Sequence, residues 1–324
     1  MDKIYIVGGG ASGMMAAIQA KTKDNEIILL EKNDRVGKKI LATGNGKCNL
    51  GNENLSVDCY YSKNSSFVEQ VLKRYDTESA VSFFASIGLK VRSKNGYLYP
   101  YAEQASVVLD VLRMELERRS IQVKPGVQIT DCTPLINKRG YLLKTPDGRS
   151  YEADRVILAC GGPASLKEGG KDGYNILQKL GLKTYPLVPG LVQLRTDGKE
   201  QKALSGVRCK ASLRLFADGI QQGSEQGELQ LTDYGISGIP VFQLSRVAAY
   251  ALRNRKSVMV QIDFTPEYSY DEIVIYLLEQ QNLRKDQTVD ELLTGFLNKK
   301  INLVFLKKCQ IAGNRTIESL QKKE

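Results

Sequence analysis

An α/β fold is predicted for this chain, with a parallel sheet at its N-terminus, a β-rich section after it and helices at its end. Three observations carry that prediction. Residues 4–31 run strand, glycine turn, helix and strand: Ile4-Tyr5-Ile6-Val7, then Gly8-Gly9-Gly10-Ala11-Ser12-Gly13, and finally Glu26-Ile27-Ile28-Leu29-Leu30-Glu31. Arg155-Val156-Ile157-Leu158-Ala159-Cys160 is a further apolar strand that runs straight into Gly161-Gly162. Past Pro186–Pro189 the composition shifts to short strands, and past Thr265-Pro266 to amphipathic helices.

Each element follows from local pattern. After Glu31 a basic, glycine-punctuated segment spans Lys32 to Asn49, too polar for core and suited to close backbone approach to a ligand. Ser65–Ser86 reads as one helix, with Phe67, Val71, Val81 and Phe84 among its apolar positions and Gly88 just beyond its end. Asn95-Gly96 signals a hairpin between Lys90–Arg92 and Tyr97–Tyr99. Gln104–Arg119 reads as an amphipathic helix, and Ile121–Val123, Val127–Thr133 and Gly140–Thr145 as strands, with a turn at Asp147-Gly148. Asp172–Leu180 reads as a helix ending at Gly181. Val192–Arg195, Cys209–Phe216, Gly227–Leu231 and Ser257–Ile262 read as strands around one helix, Ile239–Leu252. Ser269–Gln281, Thr288–Leu297 and Ile301–Lys307 complete the chain as helices.

The opening unit points to a ligand. Gly8, Gly10 and Gly13 fit G-x-G-x-x-G, in which the first glycine permits a tight turn, the second admits a pyrophosphate and the third lets helix and strand pack closely. The helix beginning there aims free N–H groups and a positive dipole end at that phosphate. Glu31, eighteen residues after Gly13, stands where a ribose-binding carboxylate belongs. The chain is therefore expected to bind an adenine dinucleotide.

Composition narrows the chemistry. At 324 residues, 42% of them hydrophobic and 25% charged, the chain is long enough for two or three domains. Its net charge of +10 is spread among acids. The densest basic stretch, Lys299-Lys300 to Lys307-Lys308 with Lys322-Lys323 after it, lacks interleaved aromatics, so no nucleic-acid partner is expected. There is no histidine, which removes imidazole triads and imidazole metal ligation and leaves a cofactor as the natural source of reactivity. The six cysteines form no C-x-x-C pair, and no apolar run reaches the length of a membrane span. A cytoplasmic protein with reduced thiols, no metal site and a small-molecule substrate is expected. Cys48, Tyr174 and Tyr234 read as packing residues, and no catalytic acid or base is named.

Four stretches together resemble the BaiN/YhiN-like flavoproteins, NAD(P)/FAD-dependent oxidoreductases also known as the aminoacetone oxidase family. They are Ile6–Gly13 with Glu31, the signature from Gly37 to Asn49, Leu158–Gly162 with Asp172-Gly173-Tyr174 and Pro186–Pro189, and Gly227–Gly238. The Gly37–Asn49 segment is the most diagnostic. The resemblance implies a Rossmann-like FAD-binding domain of the two-dinucleotide-binding type over 1–188, a β-barrel-like domain over 189–264 and a helical domain, inserted into the barrel, over 265–324. It implies that Gly8, Gly10, Ala11, Ser12 and Gly13 hold the FAD pyrophosphate, and that Glu31 holds the adenosine ribose, with Lys32 counted in the site. Lys38, Lys39, Thr43, Gly44, Gly46 and Lys47 would line the flavin side, Val127 would sit by the adenine, and Ala159, Gly161 and Gly162 would cross near the cofactor. The activity implied is hydride transfer between an organic substrate, an enone or an amine, and FAD, with NAD(P)H or oxygen as the other partner.

Two departures accompany the resemblance. The family more commonly carries histidine at the position of Asp233. Its members also continue past the helical segment and return to the FAD domain, and nothing after Ile311-Ala312-Gly313-Asn314 matches that return. A truncated product, or a shortened variant with a weakened flavin site, is the expectation. The alternatives are a non-catalytic remnant unable to hold FAD and an RNA-modifying flavoprotein.

Overall fold

The structure is a computed structural model that describes residues 1–164 and 172–321, so the Lys322-Lys323 pair lies outside the described residues. The chain divides into two compact units, Met1–Tyr185 and Pro186–Glu324.

In chain order the first unit contains β1 (Asp2–Val7), α1 (Ala11–Ala20), β2 (Asn25–Glu31), β3 (Gly51–Asn52), α2 (Ser65–Arg74), α3 (Thr77–Ser86), β4 (Val91–Lys94) and β5 (Tyr97–Pro100). It continues with α4 (Ala105–Arg118), β6 (Gln122–Pro125), β7 (Asp131–Pro134), β8 (Tyr141–Lys144), β9 (Ser150–Ala153), β10 (Arg155–Leu158) and α5 (Asp172–Lys179). Its central sheet has the order β10-β1-β2-β6, every pair parallel. The pleat explains how both faces are buried. Ile4 and Ile6 of β1, with Ile27 and Leu29 of β2, pack against Met14 and Ile18 of α1 and Val108, Leu109, Leu112 and Leu116 of α4. The alternate residues Tyr5, Val7, Ile28 and Leu30 face Cys132, Leu143 and Ala153 of the small antiparallel sheet β7-β8-β9. A near-continuous apolar run is what a parallel strand covered on both sides requires.

Helix α4 is fastened to α1 through one carboxylate. Glu115 is 5% exposed and accepts from Arg118 Nε at 2.6 Å and Arg119 Nε at 2.5 Å. The neighbouring Arg118 guanidinium holds its carboxyl down to about 2 against the opposing effect of desolvation. Arg119 also donates to the Ile18 carbonyl at 2.9 Å, which ties the two helices that back the sheet.

The second unit contains β11 (Leu194–Arg195), α6 (Gln201–Leu204), β12 (Arg208–Ala217), β13 (Ile220–Thr232), β14 (Gly235–Ser237), α7 (Ile239–Arg253), β15 (Val258–Asp263), α8 (Tyr270–Leu283), α9 (Val289–Thr294) and α10 (Lys299–Cys309). Its β-rich part is a five-stranded antiparallel sheet of order β11-β14-β13-β12-β15. Val241, Leu244 and Ala248 of α7 pack on Leu213, Leu215 and Leu229 of that sheet. Among the described residues no helix is long and apolar enough to cross a membrane.

The structure corrects the local reading in several places. The helix expected over 65–86 is two helices, broken because the Asp76 side chain accepts from the Ser79 N–H at 2.8 Å and starts α3 afresh. β9 and β14 were not anticipated, being short and lacking a clear alternation. β13 begins at Ile220 rather than Gly227, because its first residues are polar and mostly exposed and pair through backbone alone with β12. The loop after Glu31 contains a 3₁₀ stretch, Ile40–Gly46, interrupted at Thr43, Gly44 and Asn45.

Candidate functional site

The C-terminal edge of the parallel sheet gathers the sequence-predicted residues around the start of α1. Gly8 leaves β1 with φ +112°, its N–H on the Leu30 carbonyl at 2.8 Å. A Cβ at Gly8 would stand 2.4 Å from the Ala159 carbonyl oxygen, so the end of β10 presses directly on the turn. A Cβ at Gly13 would stand 1.8 Å from the Gly8 oxygen, so only glycine lets α1 start this close to the strand. Gly10 differs from both, because a Cβ there meets nothing within 4 Å. Its φ of −79° is ordinary, and the space beside it is open.

That open space faces the N-terminus of α1. Gly10 is the N-cap, no side chain among the described residues accepts from the first turn, and the first turn holds no acid. Ala11 and Ser12 are exposed and Gly13 is buried. The unpaired N–H groups of a helix start and its dipole together make a ready anion site.

Glu31 closes the second side. It is 7% exposed at the end of β2, and its Oε2 accepts from the Gly9 N–H at 2.7 Å. Its Oε1 accepts from the Asn33 N–H at 2.8 Å and from the Asn33 side-chain amide. Oε2 thus retains a lone pair for a hydroxyl donor. Val127 is buried beside it, with its N–H on the Glu31 carbonyl at 2.9 Å. Lys32 stands 3.7 Å from Asp172 at the start of α5.

The basic loop disperses its lysines. Lys38 pairs with Asp34 at 2.5 Å, one turn back, which pulls the Asp34 carboxyl below its usual range. Lys47 pairs with Glu103 at 2.5 Å, and Arg92 shares that carboxylate. Lys39 is the one of these three that reaches the end of β10, donating to the Gly162 carbonyl at 2.7 Å. Thr43 donates its hydroxyl to the Ile40 carbonyl at 2.7 Å. Gly44 has φ +55°, and a Cβ there would stand 2.6 Å from the Asn49 nitrogen. Gly46 and Gly161 both border open space. The loop as a whole is held under α4, where Arg113 donates to the Val36 carbonyl and Gly37 packs against Leu109.

The structure therefore brings Gly8, Gly10, Ala11, Ser12, Gly13, Glu31, Val127 and Ala159 to one place, with Lys39 and Gly162 joined beside them. Lys38 and Lys47 are drawn to acids of their own. Sequence reasoning gave no site role to Gly9, whose N–H binds Glu31, or to Asn33 and Asp172. Gly9 lies inside a three-glycine run and only the fold assigns it a partner. Cys48 is buried in the core. The Cys160 thiol is pushed up by burial and by the Asp172 carboxylate, which disfavours the thiolate a nucleophile needs.

These residues fit an adenine dinucleotide. The uncapped N-terminus of α1 and the open space at Gly10 offer donors and room of the kind a pyrophosphate needs, and the remaining lone pair of Glu31 Oε2 an acceptor of the kind a ribose hydroxyl needs.

Comparison with known proteins places the chain in a family. The family described as "HI0933-like protein Rossmann domain" matches residues 2–275. The 3-dehydro-bile acid delta(4,6)-reductase of Clostridium scindens is 40% identical over 304 residues, 93% of this chain and 74% of that protein. The ribosomal RNA dihydrouridine synthase of Haemophilus influenzae is 26% identical over 273 residues, 82% of this chain and 65% of that protein. Among solved structures, the open conformation of a flavocytochrome c3 fumarate reductase aligns with a TM-score of 0.43 at 16% identity, covering 64% of this chain and 46% of that one.

Proposed function

The chain belongs to the HI0933-like Rossmann family and is an oxidoreductase of the flavin type, and from that premise we propose that it saturates a C=C bond conjugated to a carbonyl in a steroid-like substrate, using FAD and a reduced nicotinamide dinucleotide. The observation that carries the FAD assignment is the uncapped, open start of α1 beside Glu31. The substrate class rests on the relative at 40% identity, whose name describes reduction of a delta(4,6) system. The more distant relative is also named for saturation of a double bond, in uridine. Both names describe reductions, which need an electron donor, and this favours a nicotinamide over oxygen and an enone over an amine.

Once reduced by the nicotinamide dinucleotide, bound FAD would supply the hydride that adds to one carbon of the conjugated double bond, and a proton from solvent would complete the other. The protein residues bind and position. Ala11, Ser12 and Gly13 N–H groups would hold the pyrophosphate, Gly10 would leave it room, and Glu31 Oε2 would accept from a ribose hydroxyl. Val127 would pack by the adenine. Lys38, Lys39, Thr43, Gly44, Gly46 and Lys47 would border the flavin side, with Lys32, Gly161 and Gly162 at its margin. Lys39, whose bond to the Gly162 carbonyl holds it beside the turn after β10, would be the cation to stabilise developing negative charge.

A visible spectrum of the purified chain with added FAD, recorded after desalting, tests the first step. Retained flavin bands are expected, and a colourless, folded protein would remove the enzyme reading. Loss of enone absorbance from a 3-oxo-4,6-diene bile acid with NADH or NADPH tests the substrate. A second reading, reduction of uridine in RNA, is supported by the rRNA dihydrouridine synthase relative and by the +10 net charge. Its signature is RNA binding that falls steeply with salt, together with no turnover of the diene.

A further inference from the structure

The β4-β5 hairpin of the first unit brings together cations and aromatic rings that stand apart in the chain. Lys90, Arg92 and Lys94 alternate on the approach to the Asn95-Gly96 turn, and Tyr97, Tyr99 and Tyr101 alternate on the way out of it. The register sets Arg92 opposite Tyr99 and Lys94 opposite Tyr97, and the Tyr101 N–H donates to the Lys90 carbonyl at 2.8 Å. Opposed residues of an antiparallel pair share a face, and faces alternate along each strand, so all six side chains share one side. The other side carries Val91, Ser93, Leu98 and Pro100, with Leu98 and Pro100 buried, so the six-residue side is the outer one.

That outer side is open and basic. Tyr97 is 49% exposed and Tyr101 58%, Tyr99 is half-buried, and Lys90 and Lys94 are exposed. The Lys90 ammonium and the Arg92 guanidinium each lie 5.4 Å from the centre of the Tyr101 ring, so charge and ring form one surface. Glu103 accepts from Arg92 and from Lys47, which fixes the Arg92 side chain. Lys90 and Lys94 pair with no carboxylate among the described residues. Cross-strand pairs of this kind support a hairpin, but they do not require rings left about half exposed beside cations with no acid to meet.

The partner that fits carries negative charge at regular intervals with a flat group beside each charge. Small-molecule sites are concave, whereas this face is an open ladder. An acidic peptide would meet the cations and leave the rings uncovered. Neighbouring side chains on one face of a strand stand about 7 Å apart, and each strand of a duplex repeats every ~3.4 Å, so the spacing suits an extended single strand. We propose that this face docks a single-stranded nucleic acid, with bases stacking on Tyr97 and Tyr101 and phosphates meeting Lys90, Arg92 and Lys94. Stacking and phosphate contacts do not read the sugar, so RNA and DNA are one partner chemistry here. None of the six residues belongs to the dinucleotide site, and the docking face stands apart from the FAD assignment and from both substrate readings. RNA that bound the chain yet ignored these six residues would overturn the face and leave the uridine reading standing.

The test uses the full chain with a fluorescein-labelled thymidine oligonucleotide of about twelve residues and an abasic strand of the same length. Fluorescence anisotropy should give the thymidine strand an affinity at least about tenfold higher, because only it can stack. Its affinity should fall with salt at a slope of about −2 on logarithmic axes, roughly 0.7 for each of the three cations. Tyr97→Leu and Tyr101→Leu should each weaken thymidine binding about tenfold and leave abasic binding unchanged, while Tyr97→Phe and Tyr101→Phe should bind as wild type does. Lys94→Gln should weaken both strands and flatten the slope by about 0.7. Equal affinity for the two strands, or none for either, would overturn the proposal, and so would leucine variants that bind thymidine undiminished. Tighter binding of a glutamate peptide of the same length would overturn it in favour of an acidic protein partner. If the leucine variants do not fold, the abasic comparison on the unaltered chain decides.

Discussion

Helix starts in the first unit and the second can be set against each other, α1 against α8 and α9. α1 starts on Gly10 with no side chain accepting from its first turn. In the second unit α8 and α9 start with complete capping boxes, Ser269 with Glu272 and Thr288 with Glu291, in which side chain and backbone satisfy each other reciprocally. A capped start uses its donors within the chain and stabilises the helix by about 1 kcal/mol. An uncapped start, set beside open space, leaves those donors for a ligand. The same backbone geometry therefore serves stability at α8 and α9 and, on the function proposed above, recognition at α1, and the difference lies in the two side chains of the capping box.

The comparison breaks most completely at Gly13. Gly13→Val would drive a side chain into the Gly8 carbonyl, and overpacking of this kind costs about 1–3 kcal/mol or more. A large fall in melting temperature and loss of FAD retention are both expected from thermal denaturation and desalting. Gly10→Val separates the two effects. Its space is open and its φ ordinary, so the apo protein should melt within a few degrees of wild type, while FAD affinity falls at least about tenfold through exclusion of the pyrophosphate. A Gly10→Val protein that holds FAD as wild type does would remove the pyrophosphate assignment.

Smaller effects sharpen the contrast. The Glu115 carboxyl is lowered to about 2 from its ordinary 4.5, so its contribution to stability is fully present above pH 4.5 and is lost as pH falls toward 2. Glu115→Gln should cost about 1–3 kcal/mol at neutral pH, and the gap to wild type should close as the pH of denaturant titrations is lowered through that window. Ser269→Ala and Thr288→Ala should each cost about 1 kcal/mol in the same titrations with FAD affinity unchanged. A change in FAD affinity on removing either cap would contradict the separation of roles.

Much of the first unit was legible because its signals are local. Ile4–Val7, Gly8–Gly13 and Ile27–Glu31 are consecutive along the chain, and a parallel strand, a glycine turn and a terminal acid each have a direct sequence pattern. The hairpin at Asn95-Gly96 was legible for the same reason, with φ of +53° and +81° at the two turn residues. The break at Asp76 was less so, because a capping aspartate inside an apolar periodicity looks like an exposed helical position until its side chain is seen on the Ser79 N–H. β13 was read short because Gln221, Gln222, Ser224 and Gln226 do not alternate with apolar residues, and pairing with β12 alone makes them a strand.

What the sequence by itself determined was the parallel βαβ start, the need for glycine at position 13, which packs on Gly8, and the acid at Glu31, since each depends on near neighbours in the chain, whereas the Ala159 carbonyl that crowds Gly8 arrives only with the fold. Tertiary structure alone decided which groups meet. Gly9 binds Glu31, Lys39 crosses 123 positions of sequence to the Gly162 carbonyl, and Lys47 is claimed by Glu103. The physical reason is that a backbone conformation is set by near neighbours, whereas the partner of a charged or polar side chain is whatever the folded chain carries within hydrogen-bond reach.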